Sequence, residues 1–232
     1  MFRINDLEVV VPQREHARLA GLIAAQWGNE RFATPALDAA SFIAGVTLHD
    51  WHFGDLDTLP LDTLEEILAG SARRAQWIEV TRRASDSIGA GGDAECVAKH
   101  HVRRLLDGVD TEPAREIRRA LDDSIAALIN ESTHSAEDFR WADRLTRVCD
   151  LAAFDVFRDE TRERRVGVPV RRGSFDEIEL TVTNELARAI RFDPWPLSVG
   201  RLTAPILAFA RAGYPDMVSP RVLMITIEPV RR

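Results

Sequence analysis

Gln13–Gly28 reads QREHARLAGLIAAQWG, and the spacing of its apolar residues sets the character of the chain up to about residue 160. Leu19, Ala20, Ile23 and Trp27 recur at intervals of three and four, the period of a helix with one buried face. Gly28 ends that helix. His16 precedes Leu19, Ala20 and Ile23 by three, four and seven residues, so it lies on the same buried stripe.

The next stretch, from about Ala36 to His49, repeats the pattern with Ala39, Phe42, Ile43 and Val46 on one face. His49 extends that face, and Asp50 follows at the helix end. Gly54 and Pro60 mark a loop. Leu61 to about Ser85 reads as one or two helices interrupted near Gly70. Glycines at 89–92 form a flexible break, and helices are expected at roughly 93–107, 112–131 and 136–160. Within the last, Asp150 shares a face with Ala153, Phe154 and Phe157, and acids are seldom buried without a partner.

The character changes after Arg165. Ile178, Leu180 and Val182 alternate with polar neighbours, the period of a strand. Extended runs at 186–192, 202–210 and 221–228 follow, separated by Asp193-Pro194-Trp195-Pro196 and Gly213-Tyr214-Pro215. The expected architecture is therefore mainly α: a helical bundle over 1–165, with a small antiparallel β-sheet formed by 166–232 packed on it.

Bulk properties narrow the function classes. The 232 residues are 45% hydrophobic and 29% charged, an ordinary globular balance whose core needs no metal merely to fold. A net charge of -7 repels a nucleic-acid backbone, and acids lie close to most of the paired arginines. Cys96 and Cys149 stand alone in apolar stretches, fitting a reduced, cytoplasmic protein with buried thiols. Pro12 breaks the one apolar run near the start. No segment approaches the roughly 20 apolar residues of a membrane span, so neither a signal peptide nor a membrane partner is expected. A phosphate loop with its lysine, a G-x-S-x-G elbow and an H-E-x-x-H helix are all missing.

Several inward-facing imidazoles and carboxylates on separate helices cost free energy unless they meet. A divalent metal ion is one solution, and a mixed nitrogen and oxygen set suits manganese, iron, cobalt, nickel or zinc. A closed hydrogen-bond network is the other. His52 and His134 read as loop or surface residues.

A histidine in an early helix, a His-Asp pair ending another and an aspartate about 100 residues later resembles the order of the HD superfamily. More closely, the chain is similar to a bacterial branch of unknown function with HD-like features, through Gln13–Gly28, the His49-Asp50 segment, Val148–Phe157 and Asp193–Pro196. The resemblance implies an HD-like helical bundle with His16, His49, Asp50 and Asp150 as metal ligands. It further implies metal-dependent hydrolysis of a phosphate ester or phosphoanhydride, the substrate being a small phosphorylated molecule. Asp50 would orient the attacking water. His100 or His101 would act as acid or hold a phosphate oxygen, His101 sharing a face with Val97 and Leu105, His100 one with Cys96 and Arg104. Lys99, Arg103 and Arg104 would neutralise phosphate charge. The chain departs from its relatives in Trp51-His52-Phe53-Gly54-Asp55, where glycine and tryptophan usually follow the pair more closely, and the pocket wall differs accordingly. The alternative function is a non-catalytic metal- or ligand-binding module on the same scaffold. Oligomeric state is left open by the sequence.

Overall fold

The computed structural model of the chain describes residues 1–59, 78–83, 86, 89–158, 161–170 and 177–230. The helical periods become α1 (Gln13–Ala25), α2 (Ala39–Leu48), α3 (Gly92–Leu105), α4 (Glu112–Glu131) and α5 (Ala136–Asp155), with a 3-10 segment at Trp51–Thr58. Residues 78–83 are helical as well. The rest of the helix or helices expected between Leu61 and Ser85 lies outside the described residues.

Local chemistry explains where these helices begin. The Asp38 carboxylate accepts from the Ser41 amide at 2.9 Å at the start of α2. Ser135 and Asp138 form a reciprocal capping box at the start of α5. Caps of this kind contribute about 1 kcal/mol each. α1 has no cap from its own N-cap residue, Pro12. Instead the Asp57 carboxylate, from the 3-10 segment, accepts from the Gln13 amide at 2.8 and 2.9 Å. α3 starts at Gly91 and Gly92, both with positive φ, where a side chain would strain the backbone.

Among the described residues seven strands form one sheet: β1 (Phe2–Ile4), β2 (Val9–Val11), β3 (Arg162–Pro169), β4 (Glu177–Glu185), β5 (Ala189–Asp193), β6 (Leu202–Ala210) and β7 (Pro220–Pro229). Their order is β1-β2-β6-β7-β5-β4-β3, and the sheet curls as a half-barrel. This corrects the expectation of a mainly α bundle carrying a small antiparallel sheet. The sheet takes two strands from the N-terminus and contains one parallel pair, β5 with β7, from Ala189↔Thr226 to Phe192↔Pro229. β1 and β2 are three residues each, too short to show alternation. β3 turns Arg164 towards Asp155, so its face lacks the apolar run that marks a strand.

One apolar cluster joins Leu19, Ile23, Phe42, Val46, Val97 and Leu145 of the helices to Leu180, Ile190, Ile206 and Ile225 of the sheet. It draws residues from both sides of the division expected near residue 165. A smaller cluster, including Ala98, Val102, Ile117 and Leu121, lies between α3 and α4.

Two glycines set how closely the helices cross. A Cβ on Gly21 of α1 would lie 2.1 Å from the Thr47 hydroxyl of α2. A Cβ on Gly45 would lie 2.7 Å from the Ala94 carbonyl oxygen and 2.6 Å from Val97 Cβ of α3. The Ala94 contact is with backbone, which cannot step aside. Gly45→Ala is expected to cost about 1–3 kcal/mol, as overpacking does, read as a lower urea midpoint. An unchanged midpoint would show that α2 and α3 are not held at that separation.

Candidate metal centre

The close crossings bring one polar side chain from each of several elements to the same point. His16 comes from α1, His49 caps the end of α2, Asp50 follows it, and Asp150 comes from α5. One ligand atom from each lies within 4.8 Å of all the others. His16 Nε2 stands 3.4 Å from Asp50 Oδ2 and 3.2 Å from Asp150 Oδ1. His49 Nε2 stands 3.8 and 3.4 Å from the same two atoms. Both imidazoles are fully buried, and Asp150 reaches solvent most, at 18% of its side chain. Phe2 and Phe154 pack against the ring of His16, with centroids 5.4 and 5.7 Å away.

Among the described residues neither His16 Nε2 nor His49 Nε2 has a hydrogen-bond partner, although carboxylate oxygens are close. A buried polar atom left so is costly. Ligand atoms about 2.1 Å from a common ion stand about 3.0 Å apart at right angles and about 3.4 Å apart in a tetrahedron. The four nitrogen–oxygen separations lie close to that spacing. The buried His/Asp group could therefore hold a metal ion.

A model of the family described as "Protein of unknown function (DUF3891)" matches residues 3–66. That stretch contains His16, His49 and Asp50 but not Asp150. No curated protein and no solved structure matches the chain.

Neighbouring groups fix the orientation of the candidate ligands. His49 Nδ1 donates to the Val46 carbonyl at 2.6 Å, which leaves the Nε2 lone pair facing the cluster. Gln13 Nε2 donates to Asp50 Oδ2 at 2.7 Å. His101, 1% exposed, completes the set: Arg104 Nη2 donates to its Nδ1 at 3.0 Å, so its Nε2 carries the proton and donates to Asp50 Oδ1 at 3.0 Å. Arg104 is anchored in turn on Asp143 at 3.2 Å. Burial, then the neighbouring His49, lowers the pKa of His101, consistent with a neutral donor.

The open choice between His100 and His101 is thus resolved by position. His101 touches Asp50, whereas the ring of His100 stacks on Phe139 at 6.3 Å. Lys99 pairs with Glu95 at 2.8 Å and bonds Ser124, and Arg103 pairs with Asp107 and Asp122. Of the three cations expected near a phosphate, Arg104 alone contacts the histidine–aspartate set. His134 stands 3.6 Å from Asp93, and His52 is half-buried in the 3-10 segment. Gln13 was not foreseen: its partner Asp50 lies 37 residues away, and no local pattern links them.

The electrostatics of the ion-free cluster follow from this geometry. Burial alone would lower the pKa of His16, but Asp150 and Asp50 outweigh it and hold it up to about 9. Burial alone would raise Asp150 and Asp50. His16 and His49 hold Asp150, and His49, His101 and His16 hold Asp50, far below the usual carboxylate range. Because the folded-state pKa of His16 exceeds its ordinary 6.5, its stabilising contribution is complete below about pH 6.5 and is lost as pH rises through about 9. Protein treated with chelator should show a urea midpoint that falls across this window, and His16→Gln should lack that part of the fall. Identical profiles for the two proteins would contradict the assignment.

Proposed function

We propose that His16, His49, Asp50 and Asp150 bind a divalent transition-metal ion, and that the chain uses it to hydrolyse a phosphate ester or phosphoanhydride. One observation carries the reading: two buried imidazole nitrogens without hydrogen-bond partners converge on two ionised carboxylates. The mixed donor set suits manganese, iron, cobalt, nickel or zinc. A bound ion would polarise a phosphoryl oxygen and lower the pKa of a water molecule to about 7.

The chain's own residues supply position. The Val46 carbonyl holds His49, while Gln13 and His101 hold the two oxygens of Asp50. Asp50 is in place to orient a water as its proton leaves. In this reading His101 acts through Asp50, because both its ring nitrogens are engaged. Asp150 is the most exposed member, so a small phosphorylated substrate approaches from its side. The reaction class comes from the ligand order, which resembles that of the HD superfamily. A cytoplasmic setting belongs to the same reading. Cys96 and Cys149 are buried free thiols, and burial pushes that of Cys96 up to about 12. No helix among the described residues is long and apolar enough to cross a membrane.

The second reading is a metal-binding module without turnover, favoured by the complete burial of His16 and His49. Metal analysis of protein purified without chelator, joined to a screen of phosphomonoesters, nucleotides and cyclic nucleotides, separates the two. About one equivalent of metal per chain is expected. Removing a ligand in His49→Ala or Asp150→Ala should lower the metal content sharply. Metal without turnover selects the module, and protein free of metal overturns both readings.

A further inference from the structure

Among the cations around the centre, Arg14 differs in how it is held. Its guanidinium carbon lies 4.5 Å from the centre of the Trp51 ring. On another side it meets Gly54, where a Cβ would come within 2.4 Å of Arg14 Nε, 3.0 Å of Cγ and 3.2 Å of Cδ. Any side chain at residue 54 would displace the arginine. Arg14 therefore lies over an exposed indole and against a bare stretch of backbone.

Among the described residues no carboxylate pairs with the Arg14 guanidinium. Arg18, one turn further along α1, is by contrast bonded to Glu15 at 2.8 and 3.2 Å. A cation held over a ring by its charge does not use up its N–H donors in doing so. Position ties this cation to the centre. Arg14 is bonded to Gln13 and Trp51 to Asp50, and Gln13 and Asp50 are joined by the 2.7 Å hydrogen bond. Arg14 also lies near enough to His52 for its charge to act on that imidazole. Lys99 is committed to Glu95, Arg103 to Asp107 and Asp122, and Arg104 to His101 and Asp143.

We propose that Arg14, cradled by Trp51 and Gly54 beside Asp50, is an oxyanion-binding residue of the centre and takes a phosphate group of the substrate. The proposal rests on the reading of the cluster as a metal site for phosphate chemistry. A guanidinium that no carboxylate of the described residues engages can offer two parallel donors to two oxygens of a phosphate. The segment Trp51–Gly54 supplies both walls of the cradle.

Titration calorimetry with inorganic phosphate on the metal-loaded full chain tests this, with metal content and circular dichroism measured on every preparation. Arg14→Gln is expected to bind phosphate at least about tenfold more weakly than the parent at equal metal content, the weight of one charge-assisted contact. Trp51→Leu keeps the charge but removes the platform, and should show a smaller loss. Equal phosphate affinity in Arg14→Gln overturns the proposal, and so does a parent protein that holds metal yet binds no phosphate. Phosphate binding that depends on Arg14 in a chain found to hold no metal would sustain the oxyanion site and sink the metal reading instead.

Discussion

Two carboxylates cannot share a buried space as anions unless positive charge enters with them, and the helical part of this molecule is arranged around that requirement. Without an ion, protonated His16 offsets part of the charge of Asp50 and Asp150. A divalent ion displacing that proton would leave the set neutral, with both imidazoles as uncharged donors. Binding of an ion there would therefore be linked to loss of the His16 proton. The crossings at Gly21 and Gly45 keep α1, α2 and α3 close enough for the set to meet. The aromatic rings of Phe2 and Phe154 keep water from the far side of His16. Packing and charge are two views of one constraint here.

Much of the centre was legible because helical period reports which face is buried. His16 and His49 extend apolar stripes, and that alone pointed both inward. Asp150 was legible through Ala153 and Phe154. His100 and His101 were not separable, since both share a face with apolar neighbours, His101 with Val97 and Leu105 and His100 with Cys96, and only the packing of α3 against α2 and α5 decides between them. Gln13 and the Arg14–Trp51 contact were hidden for another reason: they join residues 37 apart across an irregular segment, and no period carries such information.

The sheet was less legible than the helices. The four expected strands correspond to β4 through β7, although β5 begins at Ala189 rather than at 186. What the pattern could not convey was pairing. The hairpin of β6 and β7 inserts between β2 and β5, which makes one contact parallel and draws in two N-terminal strands of three residues each. Strands that short take their identity from their neighbours rather than from their own residues. The sheet also reaches the candidate site, through its N-terminal strand: β1 supplies Phe2 over His16.

The pairing of β2 with β6, through Val9↔Ala210 and Val10↔Phe209, has a consequence in time. His16, His49, Asp50, His101 and Asp150 are all synthesised before β6 leaves the ribosome. The side chains of the centre are thus present in the growing chain while β2 still lacks its partner. During that interval β1 and β2 form at most a two-stranded ribbon, which has little stability of its own. The edge of β2 therefore finds its second partner only once residues 209 and 210 have been made, after every ring that packs around Phe2 is already in the chain.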